Sequence, residues 1–341
     1  MSVISFLSTT TLPEFVDLVR REWTESPQMV DSPVIEAFLN FPIEDHTGNT
    51  RLFEEIDVET YANEKPEGAP AVNAVQAKGY SKTLTLTRFA KQVKITHEMR
   101  TDNKYEQVRG RLTGLMHMCP KRMELDLTHR LTFADAVSYV NLDGSTVDTT
   151  VGDGLAVISG VHTLTGSSLT YSNRVPGNPQ FSRGGLAAAE RIANNNIISN
   201  LGERRKLNFN TIITGDDPDV VNEVRILLES MSDPTYNNSG VTNVYRSKYK
   251  HLMVPQLAST ASGALDDTKR RRWFLAALNG SPESSWQAYI SIKEQPTLKT
   301  PAPGNNLENG ETDDWTFGVR ARWGIVVVTG RGIIMSTGNG D

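Results

Sequence analysis

From Arg51 onward the chain alternates with period two: Leu52, Ile56 and Val58 hold one parity, and Glu55, Asp57 and Glu59 hold the other. That period predicts a half-buried strand. The stretch NEKPEGAP (63–70) follows, with two prolines and a glycine among charged residues, which is the chemistry of a solvated turn. Residues 82–96 (KTLTLTRFAKQVKIT) alternate again, first through Leu84 and Leu86, then on the opposite parity through Phe89, Val93 and Ile95. The slip near Arg88 predicts a bulge or twist. Two such strands with a charged, proline-rich tip form a hairpin, and an isolated hairpin is marginal in water, so a partner surface is implied.

The period turns helical between His97 and about Ser138, with Val108, Leu112, Leu115, Cys119, Met123, Leu127, Leu131 and Ala134 recurring every three or four residues. A continuous helix there would be roughly 63 Å long, with Pro120 kinking or interrupting it. Before the hairpin, residues 1–45 read as an arm with one helical stretch, Leu12 to Trp23. Residues 141–184 are rich in Gly, Ser, Thr, Asn and Asp and give no clear element.

Ser182 is placed to cap a helix running to about Leu201. FNTIIT (209–214) reads as a buried strand, and Asp217 with Pro218 opens a further helix bearing Val221, Val224, Leu228 and Met231. Tyr249–Pro255 and Trp273–Leu278 are short apolar strands. Trp286–Ile292 and Trp315–Ile325 alternate as half-buried strands, and GRGIIM (330–335) adds a last one. No repeat of 20 to 50 residues is visible, and the mixed element order indicates an α+β fold.

Composition narrows the functional classes. The 341 residues carry 35 Lys plus Arg against 40 Asp plus Glu, a net charge of −5. That balance argues against a protein devoted to gripping nucleic acid, although local basic clusters can still touch it. The single Cys119 forbids an intrachain disulfide, and one Cys with six His supplies no thiolate zinc site. No run reaches the roughly 18 apolar residues needed to span a bilayer. The opening stretch MSVISFLSTTTLPEF carries neither a basic n-region nor a signal core, so membrane insertion and secretion are not expected.

Catalytic signatures are missing from the sequence. His97-Glu98 lacks the second histidine of HExxH, because Thr101 stands there, and GxSxG, GxxxxGK and CxxC do not occur. Asp216, Asp217 and Asp219 sit where helix capping explains them. Cys119 lies on the apolar stripe as a small core residue, and Trp315 and Trp323 read as core. Arg204-Arg205-Lys206 suits a helix C-terminal turn. The run Lys269, Arg270, Arg271, Arg272 fits carboxylates of a neighbouring subunit, phosphates of nucleic acid, or a solvated loop equally well.

The arm, long hairpin, long helix, helix-strand core and late long strands together resemble the major capsid proteins of tailed phages, those of the Hong Kong 97 fold, over nearly the whole chain. The most specific pieces are NFNTIITGDDPDVVNEVRILLES (208–230), YKHLMVPQL (249–257), WFLAAL (273–278) and DDWTFGVRARWGIVVVTGRGIIM (313–335), which look like core and closing strands of such subunits, Mu-like ones included. The resemblance implies an N-terminal arm (1–45), an E-loop hairpin (46–96), a P-domain (97–150 and 284–329, with the spine helix at 97–138) and an A-domain (151–283 and 330–341).

It also implies a non-enzymatic structural subunit without a cofactor, self-assembling as hexamers and pentamers into an icosahedral head around double-stranded DNA. Separate scaffolding and portal proteins, a decoration protein and a virion location, with assembly in the host bacterial cytoplasm, would go with it. No membrane partner is implied. The other reading within the fold is the shell of an encapsulin-like compartment. Interface or DNA-facing candidates are Lys65, Glu67, Lys82 and Arg88 in the hairpin region and Lys269, Arg270, Arg271 and Arg272 in the basic run. No Lys–Asn crosslink is assignable, though Lys65, Lys78 and Lys82 lie in the hairpin region.

Overall fold

The longest alternation in the sequence becomes the longest strand, and a helix lies across its apolar side. The computed structural model describes residues 12–25, 48–58, 61–102, 104–234, 240–278, 285–301, 308–309 and 314–340. Most of the expected arm therefore lies outside the described residues, apart from the helix α1 (Leu12–Glu25). The chain then forms β1 (Thr50–Val58), β2 (Gln76–Thr85), β3 (Thr87–Ile95), α2 (His97–Thr101), α3 (Tyr105–Thr132), β4 (Ser138–Val140) and β5 (Thr146–Asp148). After these come α4 (Arg183–Asn195), β6 (Thr211–Thr214), α5 (Pro218–Glu229), β7 (Lys250–Met253), β8 (Trp273–Ala276), β9 (Ala288–Lys299), β10 (Glu308–Asn309), β11 (Asp314–Val327) and β12 (Ile333–Ser336). The architecture is α+β.

One antiparallel sheet is organised by β11, which pairs with β3 along one edge and with β9 and β10 along the other. Trp315, Phe317, Val319, Ala321 and Trp323 point from one face into the main core. There they meet Leu112, Leu115, Cys119, Met123 and Leu127 of α3. Burial of each large side chain contributes about 1.5–3 kcal/mol. Phe89 stacks on Trp323 with ring centroids 3.9 Å apart. Helix α1 adds Phe15, Val16 and Val19 to the same core, Phe15 lying 5.4 Å from the Trp315 ring, so this part of the arm docks on its own chain.

The helix expected over 97–138 is two helices, the longer covering 28 residues, about 42 Å. Pro120 sits buried inside α3 without ending it. It removes one backbone donor, and the apolar stripe on both sides carries the helix across the gap. At the C-terminus, Arg272 Nη1 donates to the Thr132 carbonyl at 2.7 Å, satisfying one of the carbonyls that a helix end leaves free.

A second sheet has the order β12-β8-β6-β7, with β6 and β7 parallel and the other pairs antiparallel. Its strands are short, and β6, β8 and β12 are buried throughout. Helices α4 and α5 cover one face through Leu186, Ala189, Val220, Val224, Leu227 and Leu228. Both expected caps are present: Ser182 Oγ accepts from the Gly185 amide at 3.1 Å, and Asp217 Oδ1 accepts from the Asp219 amide at 2.9 Å. Helix α4 stops at Asn195, short of Leu201. Met231, expected on the buried stripe of α5, is exposed beyond the helix end.

Residues 76–95 belong to two sheets. Among the described residues strand β2 pairs only with β1, whereas β3 pairs with β11, and Leu86 lies between them, buried. The parity slip that predicts a bulge near Arg88 marks this change of sheet. Leu84 and Leu86 join Val326 on the face of the β11 sheet opposite α3, while Phe89 and Ile95 serve the α3 side.

Candidate assembly surfaces

The hairpin β1–β2 is bound to the rest of the chain by apolar packing at its base, by neutral hydrogen bonds (Thr165 Oγ1 donates to the Lys78 carbonyl at 2.9 Å, and Tyr80 Oη lies 2.8 Å from Thr163 Oγ1) and by charge. Alternation would place Leu52 inward; instead Leu52 is 54% exposed and Glu55 only 5%. The inward parity is the charged one. Arg331 Nη1 donates to Glu55 Oε1 at 2.8 Å and lies 3.9 Å from Asp57 Oδ2, while Arg331 Nη2 donates to Asn200 Oδ1 at 2.8 Å. Asn200 returns its side-chain amide to Glu55 at 3.2 Å and its backbone N–H to Asp57 at 2.7 Å. Arg205 closes the cluster on Asp57 Oδ1 at 3.2 Å. Two guanidinium groups thus meet two carboxylates where a mismatch of charge would be costly.

Backbone geometry makes room for this cluster. A Cβ at Gly79 would stand 2.4 Å from Asn200 Nδ2 and 2.6 Å from Glu55 Cβ, so β2 approaches only because the residue is glycine. The β1–β2 register shifts between Glu54 and Ile56, beside the buried carboxylate. On the outer side Lys78 pairs with Glu54 at 2.7 Å.

Beyond the paired strands most of the described tip residues are exposed. The Ala69 amide donates to the Pro66 carbonyl at 3.2 Å and Gly68 takes φ +79°, which gives the expected turn. Lys65 and Glu67 are exposed there, and so are Tyr61, Val72 and Val75. At the hairpin base a groove of about 490 Å³ is lined by Lys82, Phe89, Arg130, Tyr139, Asp148 and Trp323, among others. Lys82 donates to Asp148 Oδ2 at 2.5 Å and to Thr150 Oγ1 at 2.6 Å, so it is held within its own subunit. Arg88 is exposed.

The run 269–272 is neutralised within the chain. Lys269 pairs with Asp266 at 3.1 Å over the Phe133 ring, Arg270 with Asp216 at 3.4 Å, and Arg271 with Asp217 at 3.6 Å. Arg272 is buried and grips Asp135 with two bonds of 2.9 and 2.8 Å. Its guanidinium fastens the end of α3 to β8. Arg204 Nε donates to the Asn194 carbonyl at the end of α4, as a cation after a helix would, whereas Arg205 turns to the hairpin.

Two titratable groups on α3 lie three residues apart with opposite displacements. Burial pushes the Asp126 carboxyl up to about 6, against the pull of Arg122 and Arg130 and a hydrogen bond from Trp323 Nε1. Burial lowers His129 to about 4, although its ring meets the Thr260 carbonyl at 3.2 Å. The Cys119 thiol is buried and pushed up to about 11 by desolvation. His162 and Asp153 form a buried pair at 2.7 Å, the imidazole stacked on Tyr171. Among the described residues no group of three or more His, Cys, Asp or Glu side chains is placed to share a metal ion. None of the helices among them is long and apolar enough to cross a membrane.

Sequence reasoning missed Glu55, Asp57, Asn200, Arg205 and Arg331. The available signals were a charged parity inside a strand and one arginine inside an apolar tail, but neither names its partner.

No family model matches the chain, and no curated protein matches it. Solved structures are similar along most of its length. The "Cyanophage Pam1 capsid asymmetric unit" aligns at 13% identity and TM-score 0.48, covering 90% of this chain and 93% of that one. "The capsid of Myoviridae Phage XM1" aligns at 8% identity and TM-score 0.47, covering 93% and 97%. A structure from Microbacterium phage Oxtober96 aligns at 13% identity and TM-score 0.46, covering 91% and 92%.

Proposed function

We propose that this chain is the major capsid protein of a tailed phage. In this reading it is a structural subunit without catalytic activity, assembling as hexamers and pentamers into an icosahedral head that encloses double-stranded DNA. The observation that carries the reading is the hairpin: among the described residues β1 and β2 pair only with each other, a charge cluster helps to hold them to the body, and the tip exposes Tyr61, Val72 and Val75. A projecting hairpin with an apolar tip gains stability by lying on a neighbouring subunit, and repetition of that contact around a closed symmetry builds a shell. Lys65 and Glu67 belong to this contact. Separate scaffolding and portal proteins complete the head, which is assembled in the host bacterial cytoplasm and ends in the virion.

Deleting residues 62–72 tests the reading. Circular dichroism should show a folded subunit, while sedimentation velocity and negative-stain electron microscopy should show loss of the shells, rings or tubes that the parent chain forms. Loss of subunit folding, or particles as abundant as those of the parent, would overturn it. Closed particles filled with protein instead of DNA would point to the encapsulin-like compartment.

A further inference from the structure

One group of cations on this chain is assembled by strand register, not by sequence proximity. On the face of the β11 sheet turned away from α3, the hairpin base covers one end through Leu84, Leu86 and Val326. Beyond it, register brings Arg322 opposite Arg88, Arg320 opposite Ala90, Gly318 between Gln92 and Lys299, and Thr316 opposite Lys94. A Cβ built on Gly318 would touch the Gln92 side chain and the Lys299 Cβ, which fixes these residues on one face.

Five cations therefore share a flat surface: Arg88, Lys94, Lys299, Arg320 and Arg322. The acids of that face among the described residues are Glu294, 3.6 Å from Arg320, and Asp314 at the far end of β11. Arg88, Lys94 and Lys299 are exposed and form no ion pair with a described residue. Arg88 and Arg322 stand directly opposite each other; Arg322 donates to Asn49 Oδ1 and has Glu294 opposite it on β9, while Arg88 is left toward solvent.

The geometry points to this face as a binding surface for the phosphate backbone of duplex nucleic acid. This rests on the shell reading above and adds the surface that would meet the contents. A second copy of the chain is disfavoured as occupant by what separates the cations, namely Ala90, Gln92, Thr297, Thr316 and Gly318. Protein interfaces draw their energy from central aromatic or large apolar anchors, and this stretch offers none. Backbone binding needs cations and small hydrogen-bonding groups and reads no sequence. One subunit would bind weakly, and an array of subunits would bind collectively.

The test measures binding of a labelled 30-base-pair duplex to the full chain across salt, with particle formation followed in parallel by electron microscopy. With Arg320 already paired to Glu294, four neutralised phosphates correspond to a slope of about −3.6 in log K against log salt, roughly a 150-fold loss between 50 and 200 mM. The triple variant Arg88→Gln, Lys94→Gln, Lys299→Gln should lower the slope to about −1. The double variant Lys269→Gln, Arg270→Gln, which removes cations already paired within the chain, should leave it unchanged. A parent slope near zero, or equal losses in both variants, overturns the assignment while particles that still form leave the shell reading intact. A triple variant that keeps its DNA affinity but stops assembling shows instead that the face meets another subunit. Absence of particles from the parent chain is the separate failure of the shell reading.

Discussion

Replacing Arg331 with Met should release the hairpin without unfolding the body. The guanidinium is 4% exposed and so is the carboxylate of Glu55, its partner at 2.8 Å. The substitution leaves that carboxylate buried with the Asn200 amide, at 3.2 Å, as a donor, while Asp57 keeps Arg205. Breaking one side of a buried pair costs about 3–5 kcal/mol, because the surviving charge is uncompensated. The hairpin can escape that cost by lifting the cluster into water, since among the described residues its strands form a two-stranded sheet of their own. Amides within residues 76–85 should then exchange faster with solvent by up to about two to three and a half decades, at roughly 1.4 kcal/mol per decade. Amides of β6 and β8 should keep their protection. Adding Glu55→Gln should recover most of the loss, because a buried amide beside Asn200 carries no unpaired charge. Hydrogen exchange followed by mass spectrometry reads both effects. Exchange in 76–85 within about threefold of the parent, less than 1 kcal/mol, would refute the view that charge holds the hairpin down.

Other consequences follow from single groups. Gly79→Ala drives a methyl into Asn200 and Glu55, and should destabilise the hairpin by about 1–3 kcal/mol in denaturant titration or exchange. Asp126 titrates at about 6 in the fold against 3.8 ordinarily, so it binds a proton more readily when folded. Its stabilising contribution is complete below 3.8 and is lost as pH rises through 6. His129, lowered to about 4 from 6.5, contributes stability above 6.5 that is lost as pH falls through 4. The two trends oppose each other between pH 4 and 6, and Asp126→Asn should therefore make thermal stability fall more steeply toward acid than in the parent. An unchanged slope would show that the carboxyl titrates elsewhere. Cys119, buried with its thiol held protonated, should resist iodoacetamide at pH 8 in the folded chain and react once denatured; labelling of native protein at the denatured rate would contradict the packing of α3.

Elements whose cause is local were legible in the sequence. The caps at Ser182 and Asp217 need only the next three residues, and the alternation from Trp315 to Trp323 needs only a sheet with a covered face. Legibility ended where a residue's environment comes from distant chain. Period two in β1 gives two faces, but which one turns inward depended on Arg331, 276 residues away, and Asn200, 145 away. The run 269–272 looks uncompensated in sequence because Asp135, Asp216 and Asp217 reach it only through the fold. The opposite held for Arg88, whose cationic neighbours Arg320 and Arg322 come from strand pairing. Helical period overstated the spine helix for a related reason: Ala134 is buried like the stripe residues before it, yet it lies past the helix end in a turn.

The hairpin is held in two physically different ways, and the difference bears on how a shell could close. At its base, Leu84 and Leu86 pack with Val326, and Phe53 stacks on Tyr289 with centroids 4.3 Å apart. Apolar packing of this kind fixes position and is indifferent to modest rotation, because burial is non-directional. Further along β1, the bonds from Arg331 and Asn200 to Glu55 and Asp57 are directional, and a rotation that bends them leaves charge buried and unpaired. One anchor sets where the hairpin leaves the body and the other sets its angle. Their separation along β1 makes the angle well determined although the tip is largely exposed. A closed shell made of repeated modest contacts needs this, since an angular error at one subunit recurs at every symmetry-related contact and prevents closure. An apolar patch in place of the cluster would hold the hairpin at least as strongly and aim it less sharply, which gives a reason for two buried and two half-buried charges in a place where hydrophobic residues would be the ordinary choice.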